Sequence, residues 1–430
     1  MSGTAVLFIT FFVLLLLNVP IFASIGLSVM AYIFVSGGIT WNMVGTTMFT
    51  ACDSFPLMAI PLFILAGALM ESGGLSKRLI GFADSLVGHL PGGLTIVTVL
   101  SCMFFGAISG SASATVATIG VIMVPAMIER GYDKGFSYAL IASAGCLGVI
   151  IPPSITMVTY GVATNASIPT LFIGGFGPGI IVGLCLIAYS VVYSIRHGYT
   201  GNGQKFSIKR VGREFVHAIG ALLVPIIILG GIYGGFFTPT EAAVIAVFYG
   251  LIVGLFVYKE LTIQKTIDSL ISSAVTTATI MVIVGAATVL ARVLTLEQIP
   301  AAISNFITGA TDNRYVVLLI INVVLLIVGC VMDSTPAILI LAPILYPIAA
   351  SYGVDIIHFG LIMTLNVCIG FMTPPVGLNL FVACSIGDIK FSTLVKNIWP
   401  YLIVMLVALI LTTYIEPIAM LLPHLFGYKG

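Results

Sequence analysis

Charge is what this chain has least of. Asp, Glu, Lys and Arg make up 7% of its 430 residues, while 60% are hydrophobic. A soluble domain carries roughly 25% charged residues, so a water-soluble globular fold is excluded and the chain reads as a resident of a bilayer. Polar stretches long enough to bury a core of their own are also missing, the longest running from Arg196 to Glu214. No HExxH, GxSxG, Walker A or paired-cysteine motif is present, which leaves an intramembrane enzyme without support. The cysteines fall singly in apolar stretches, as at Cys102, Cys146 and Cys185, without metal-ligand spacing; they read as small buried hydrophobes. A net charge of +1 offers nothing to a nucleic acid. The N-terminal apolar stretch has no basic residue ahead of it and no small-residue cleavage site behind it, so it reads as a retained span.

What the chain has in quantity is apolar runs of about 20 residues, each long enough to cross a hydrocarbon core. They are continuous rather than alternating, which indicates a helical bundle and not a β-barrel. A shift of 222 residues matches Pro125 with Pro347, Asp133 with Asp355, Cys146 with Cys368, Pro152-Pro153 with Pro374-Pro375, and Pro178 with Pro400. The chain therefore divides into a first repeat over 1–195, a linker over 196–213 and a second repeat over 214–430. Each repeat holds a hairpin (93–130 and 315–350) and a proline-broken helix (136–164 and 358–386). The hairpin arms, about 15 residues each, read as re-entrant. That leaves about five transmembrane helices per repeat, and an odd number inverts the second against the first. Residues 4–36 allow two spans or one long helix kinked at Pro20.

Basic residues test the inversion, because loops on the cytoplasmic face carry the excess of Lys and Arg. With the linker cytoplasmic, thirteen of the sixteen fall on its face, and only Arg292, Arg314 and Lys429 on the other. The bilayer is thus crossed many times, with the first hairpin opening from the cytoplasm and the second from the opposite side.

Breaking a helix at membrane depth is costly unless the freed backbone lines a site, and breaks at matching positions of inverted repeats point to the binding site of a secondary transporter. The prolines remove donors and free carbonyls in Gly148–Ile151 and Gly370–Thr373 for a cation, while the half-helices that follow aim positive dipole ends at the gap. The hairpin tips add hard oxygen donors: Ser109, Ser111, Ser113 and Thr115, with Gly110 allowing close approach, and Asp333, Ser334 and Thr335. Asp333 is an acid at membrane depth with no basic residue near it in sequence, a functional candidate on that ground. Glu241 follows a Thr-Pro helix start and reads as a cap. His358 and Glu416 lie near span ends and carry no assigned role.

The stretches "GSASATVATIGVIMVPAM", "GVIIPPSITMVTYG", "FFTPTEAA" and "GFMTPPVGLNLFVA" resemble the large membrane subunit, DctM or SiaM type, of the tripartite ATP-independent periplasmic (TRAP) transporters, and the resemblance spans essentially the whole chain. It implies a bacterial inner-membrane, multi-pass, elevator-type Na⁺ symporter without an organic cofactor. Its implied partners are a small membrane subunit, supplied as a separate chain, and a periplasmic substrate-binding protein that delivers an organic acid such as a C4-dicarboxylate or sialic acid. Carried over, Ser109 and Gly110 with Gly148, Ile151 and Pro152 form one Na⁺ site, and Asp333, Ser334 and Thr335 with Gly370 and Thr373 the other. Substrate then lies near Ser111, Ser113, Ser154, Asp333 and Asn379. The alternative is a free-standing Na⁺/dicarboxylate symporter of the same design.

Overall fold

The computed structural model describes residues 2–17, 19–37 and 39–430, and all their side chains except those of 304, 306–308 and 310. Among these residues every regular element is helical. The first five helices are α1 (Gly3–Leu16), α2 (Ile21–Ser36), α3 (Trp41–Cys52), α4 (Ala59–Ser72) and α5 (Leu75–Val87). A hairpin of α6 (Gly93–Ser109) and α7 (Ala112–Glu129) follows, then α8 (Lys134–Ala144), α9 (Leu147–Ile150), α10 (Ile155–Thr164) and α11 (Ile168–Arg196). Beyond the linker come α12 (Ile208–Tyr233), α13 (Pro239–Ile252), α14 (Ile263–Leu296) and α15 (Ile299–Ala310). A second hairpin, α16 (Arg314–Gly329) and α17 (Ser334–Ser351), leads to α18 (Ile356–Gly370), α19 (Leu378–Ile386), α20 (Phe391–Tyr414) and α21 (Pro417–Leu425).

Eight helices among the described residues are long and apolar enough to cross a membrane, and a ninth span is counted if the pair 134–150 and 155–164, bent by 44° at its break, is taken as one. Two groups follow from what packs on what. In a frame, α2, α3 and α4 pack on α14, α4 also on α13, and α12 on α5 and α13. In a core, α6–α11 interlock with α16–α21, with α8 on α19 and α20 and α11 on α18, α20 and α21. The groups meet where α4 and α5 touch α6 and where α14 and α15 touch α17.

Local chemistry explains the recurring residues. α17 starts and ends 222 positions after α7, with Pro347 standing in it as Pro125 stands in α7. Asp133 and Asp355 are the N-caps of α8 and α18, accepting from Phe136 N at 2.8 Å and Ile357 N at 2.7 Å. Such a cap contributes about 1 kcal/mol. Glu241 closes a capping box with Thr238 at the start of α13, as its position after Thr-Pro suggests.

Several boundaries differ from the sequence pattern. Residues 4–36 form two helices packed on one another, which one kinked helix could not do; their joint includes Asn18, outside the described residues. Residues 41–52, where Asn42 and three threonines interrupt the apolar run, form the additional helix α3, and Cys52 at its end is exposed. α14 reaches 34 residues, because its polar start is still helix-forming. Pro417 opens a separate α21 beyond Tyr414. The hairpin arms hold 17, 18, 16 and 18 residues, more than the 15 or so expected.

Candidate functional site

The first tip is built by hydroxyls that bond to their own turn. Gly110 at φ 62° takes a left-handed conformation open to glycine, and the chain reverses there between α6 and α7. Ser111 caps α7, accepting from Ala114 N at 3.5 Å. Thr115 Oγ1 donates to Ser111 O at 2.8 Å and lies 3.2 Å from Ser109 Oγ; Ser111 and Ser113 hydroxyls are 3.4 Å apart. At the second tip Asp333 caps α17, its Oδ1 accepting from Ser334 N at 2.5 Å and Ser334 Oγ at 3.2 Å. Asp333 stands 222 positions after Ser111, so a carboxylate in one half takes the place of a hydroxyl in the other.

Behind each tip lies a helix break. Pro152 and Pro153 occupy the positions whose N–H groups a continuous helix would offer to Gly148 O and Val149 O. Val149 O is recovered by Ser154 Oγ at 2.6 Å. In the second break Phe371 O is recovered by Asn379 N at 2.9 Å, and Gly370 O by Thr373 N at 3.0 Å. A Cβ on Gly148 would overlap Ser111 O and Thr115 Oγ1, and one on Gly370 would overlap the backbone of Gly329. Each break is therefore pressed against the hairpin of its own half. Around Gly148 this gathers Ser111 O, Thr115 Oγ1, Ser109 Oγ and proline-freed main chain, a donor set of hard oxygens suited to a small alkali cation rather than a soft metal.

The tips open onto a cavity of about 470 Å³. Seven of the residues singled out from sequence line it: Ser109, Gly110, Ser111, Ser113, Asp333, Ser334 and Thr335. Val149, Ile155, Thr156, Phe371 and Leu378 join them from the breaks, and Thr156 Oγ1 donates to Ser334 Oγ at 3.3 Å, linking the two halves. Gly148, Ile151, Pro152, Gly370 and Thr373 are outside the lining, behind the tips. Ser154 and Asn379 do not reach it either. Both are fully buried; Ser154 spends its hydroxyl on Val149 O and the cap of α10, and Asn379 Nδ2 donates to Ala142 O at 3.1 Å. His358 is buried with Nε2 2.9 Å from Thr412 O, and Glu416 pairs with Arg314 at 3.2 Å.

The far wall comes from the frame and was missed in the sequence. Glu71 of α4 lines the cavity with Ser272, Ser273 and Thr276 of α14, and accepts a hydrogen bond from Thr118 Oγ1 of α7 at 2.5 Å. The available signal was an acid in an apolar helix, disguised by its place one residue before the helix end. No Lys, Arg or His is among the residues lining the cavity. An anion entering it meets hydroxyls, the N-termini of α7, α10, α17 and α19, and two carboxylates.

Comparisons with known proteins show the family and the fold. Residues 8–418 match the family model described as tripartite ATP-independent periplasmic transporter, DctM component. The isethionate TRAP transporter permease protein DctMQ of Oleidesulfovibrio alaskensis is 48% identical over 419 residues; the match covers 96% of this chain and 65% of that longer protein. The C4-dicarboxylate TRAP transporter large permease protein DctM of Pseudomonas aeruginosa is 43% identical over 381 residues, 88% of this chain and 89% of that one. Among solved structures, the YdaH transporter of Alcanivorax borkumensis shares the fold at a TM-score of 0.63 and 16% identity, over 87% of this chain and 89% of the other.

Proposed function

The chain belongs to the DctM component family of tripartite ATP-independent periplasmic transporters, and on that premise we propose that it is the large membrane component of such a transporter, carrying an organic acid anion inward across the bacterial inner membrane in symport with Na⁺. A small membrane subunit and a periplasmic substrate-binding protein complete the system. Residues 1–195 and 214–430 act as inverted repeats joined by a cytoplasmic stretch at 196–213. The core helices α6–α11 and α16–α21 move as an elevator against the frame. The cations are cargo: one is held by Ser109, Ser111 O, Thr115 and the break at Gly148–Pro152, the other by Asp333, Ser334, Thr335 and the break at Gly370–Thr373.

One observation carries this reading: a single cavity bounded by two hairpin tips and two helix breaks, rich in hydroxyls and without a basic side chain. An anion is not held there by direct ion pairing, so co-bound cations must offset the carboxylates before it enters. Weak binding of that kind suits a protein loaded by a separate high-affinity binder. The names of the relatives, isethionate and C4-dicarboxylate, support a small organic acid as cargo.

The test is reconstitution in liposomes. The chain alone gives no appreciable uptake. Adding the small subunit and the binding protein gives saturable uptake that needs an inward Na⁺ gradient. Uptake that never saturates, or that ignores the gradient, overturns symport; robust uptake by the lone chain selects the free-standing symporter instead.

A further inference from the structure

Glu71 is left unused by these assignments, although it opens onto the cavity. Thr118, which holds one of its carboxylate oxygens, lies seven residues beyond Ser111 on α7, about 10 Å along the helix axis. Glu71 is therefore held about two helical turns along α7 from the first tip. On the same wall Ser273 is 5% exposed, and its hydroxyl is buried without a hydrogen-bond partner among the described residues. The helices that carry them, α4 and α14, are joined beside this wall by the contact of Ser72 Oγ with Ser269 Oγ at 3.2 Å. Glu71 directly precedes Ser72, and Ser273 comes one turn after Ser269.

We propose that this wall, Glu71 with Ser273, receives a hydrogen-bond donor of the substrate, so that the cargo is a small acid with a single anionic head and a hydroxyl or ammonium group at the opposite end. The inference rests on the transporter reading above and names the substrate class for the same cavity. With the anionic head at the tips, beside the cations and the helix N-termini, the other end of the molecule faces Glu71. A second carboxylate there meets a like charge in a poorly screened space. An alkyl end leaves the Ser273 hydroxyl unpaired and the carboxylate with the Thr118 hydroxyl alone, and sites built to bond a substrate O–H or N–H reject analogues lacking it. A hydroxyl or ammonium at that end offers this wall a donor.

The measurement is ligand-dependent thermal stabilisation of the purified membrane complex in Na⁺, without the binding protein, so that the binding protein's own selectivity does not enter. The probes are 2-hydroxyethanesulfonate and 3-hydroxypropanoate against propanoate and succinate. The two hydroxy monoanions are expected to stabilise at concentrations at least about tenfold below the other two. Glu71→Gln should bring succinate to within about threefold of them, and Ser273→Ala should narrow the gap to propanoate, with the Na⁺ midpoint in place in both. Should Glu71→Gln not fold, Thr118→Val keeps the charge but releases the carboxylate; it should weaken both hydroxy monoanions and give succinate no advantage. Succinate binding as well as the hydroxy monoanions in the unaltered chain overturns the proposal, as does an unchanged preference in all variants. If none of the four acids stabilises the complex in Na⁺, this substrate class is overturned, while the transporter reading still stands or falls on the Na⁺-driven uptake assay.

Discussion

Cys146 and Cys368, 222 positions apart, each donate a thiol to the other's main-chain carbonyl, both at 3.2 Å. Residue i meeting j as j meets i is the mark of a self-complementary contact about a two-fold axis. It supports the repeat reading, because α8–α9 and α18, which lead into the two helix breaks, cross at equivalent residues.

The pair makes a test of its own. Cys368→Ala should lower stability by about 1 kcal/mol, the net worth of one modest hydrogen bond. Cys146→Ala should cost more, because Asn379 Nδ2 also lies 3.6 Å from its sulfur. The two losses should be less than additive when combined. Thermal unfolding of the purified variants reads all three; equal and fully additive losses would show that the thiols act independently.

Gly148→Ala places a methyl group against Ser111 O and Thr115 Oγ1, displacing the first tip. Overpacking of this kind costs about 1–3 kcal/mol, and the Na⁺ half-saturation of uptake should rise by about tenfold. Gly370→Ala meets the backbone of Gly329, which has no side-chain end to yield, and should lower expression or Tm more. Gly212→Ala, in α12 with nothing within 4 Å of a new Cβ, is the control; it should gain up to about 1 kcal/mol from reduced chain entropy. A Gly148→Ala protein with an unshifted Na⁺ curve would remove the break from the cation site.

Asp333 is the only acid at either tip. Asp333→Asn keeps the cap but removes a charge, and a hydrogen bond to a charged group contributes roughly 1.5–3 kcal/mol. The Na⁺ half-saturation should therefore rise about tenfold or more in a protein that still inserts. A shift confined to the substrate curve would move Asp333 from cation to substrate. Unchanged Na⁺ and substrate curves would falsify both roles.

Gln204 in the linker and Asp312 between α15 and α16 are both exposed. In a background without native cysteines, single cysteines at these positions should label from opposite sides of intact cells. Labelling of both by an impermeant outside reagent sinks the inverted topology.

Much of the fold was legible because the signals are local. A proline removes a donor wherever it stands, and a Ser, Thr or Asp ahead of an apolar run caps a helix. The broken helices, both tips and the capping role of Glu241 could therefore be read residue by residue. The shift of 222 added long-range information because the chain contains its own second example. None of this depends on which residues meet across the fold.

Tertiary structure decided the rest. In a bilayer the lipid-facing side of a helix is as apolar as its packed side, so hydrophobic periodicity does not tell which face turns inward. α1 and α2 could not be told from one kinked helix, and α3, with its threonines, did not read as part of the bundle. Ser154 and Asn379 carry the right chemistry for a site, but their partners, Val149 O and Ala142 O, draw them into the packing behind the tips. Glu71, near the end of α4, was not among the residues the sequence singled out. Only the packing of α4 against α6 and α14, with α7 close enough for Thr118 to bond to it, turns that carboxylate into the cavity, because neighbours across a helix interface are set by distance in space and leave no mark in the order of the chain.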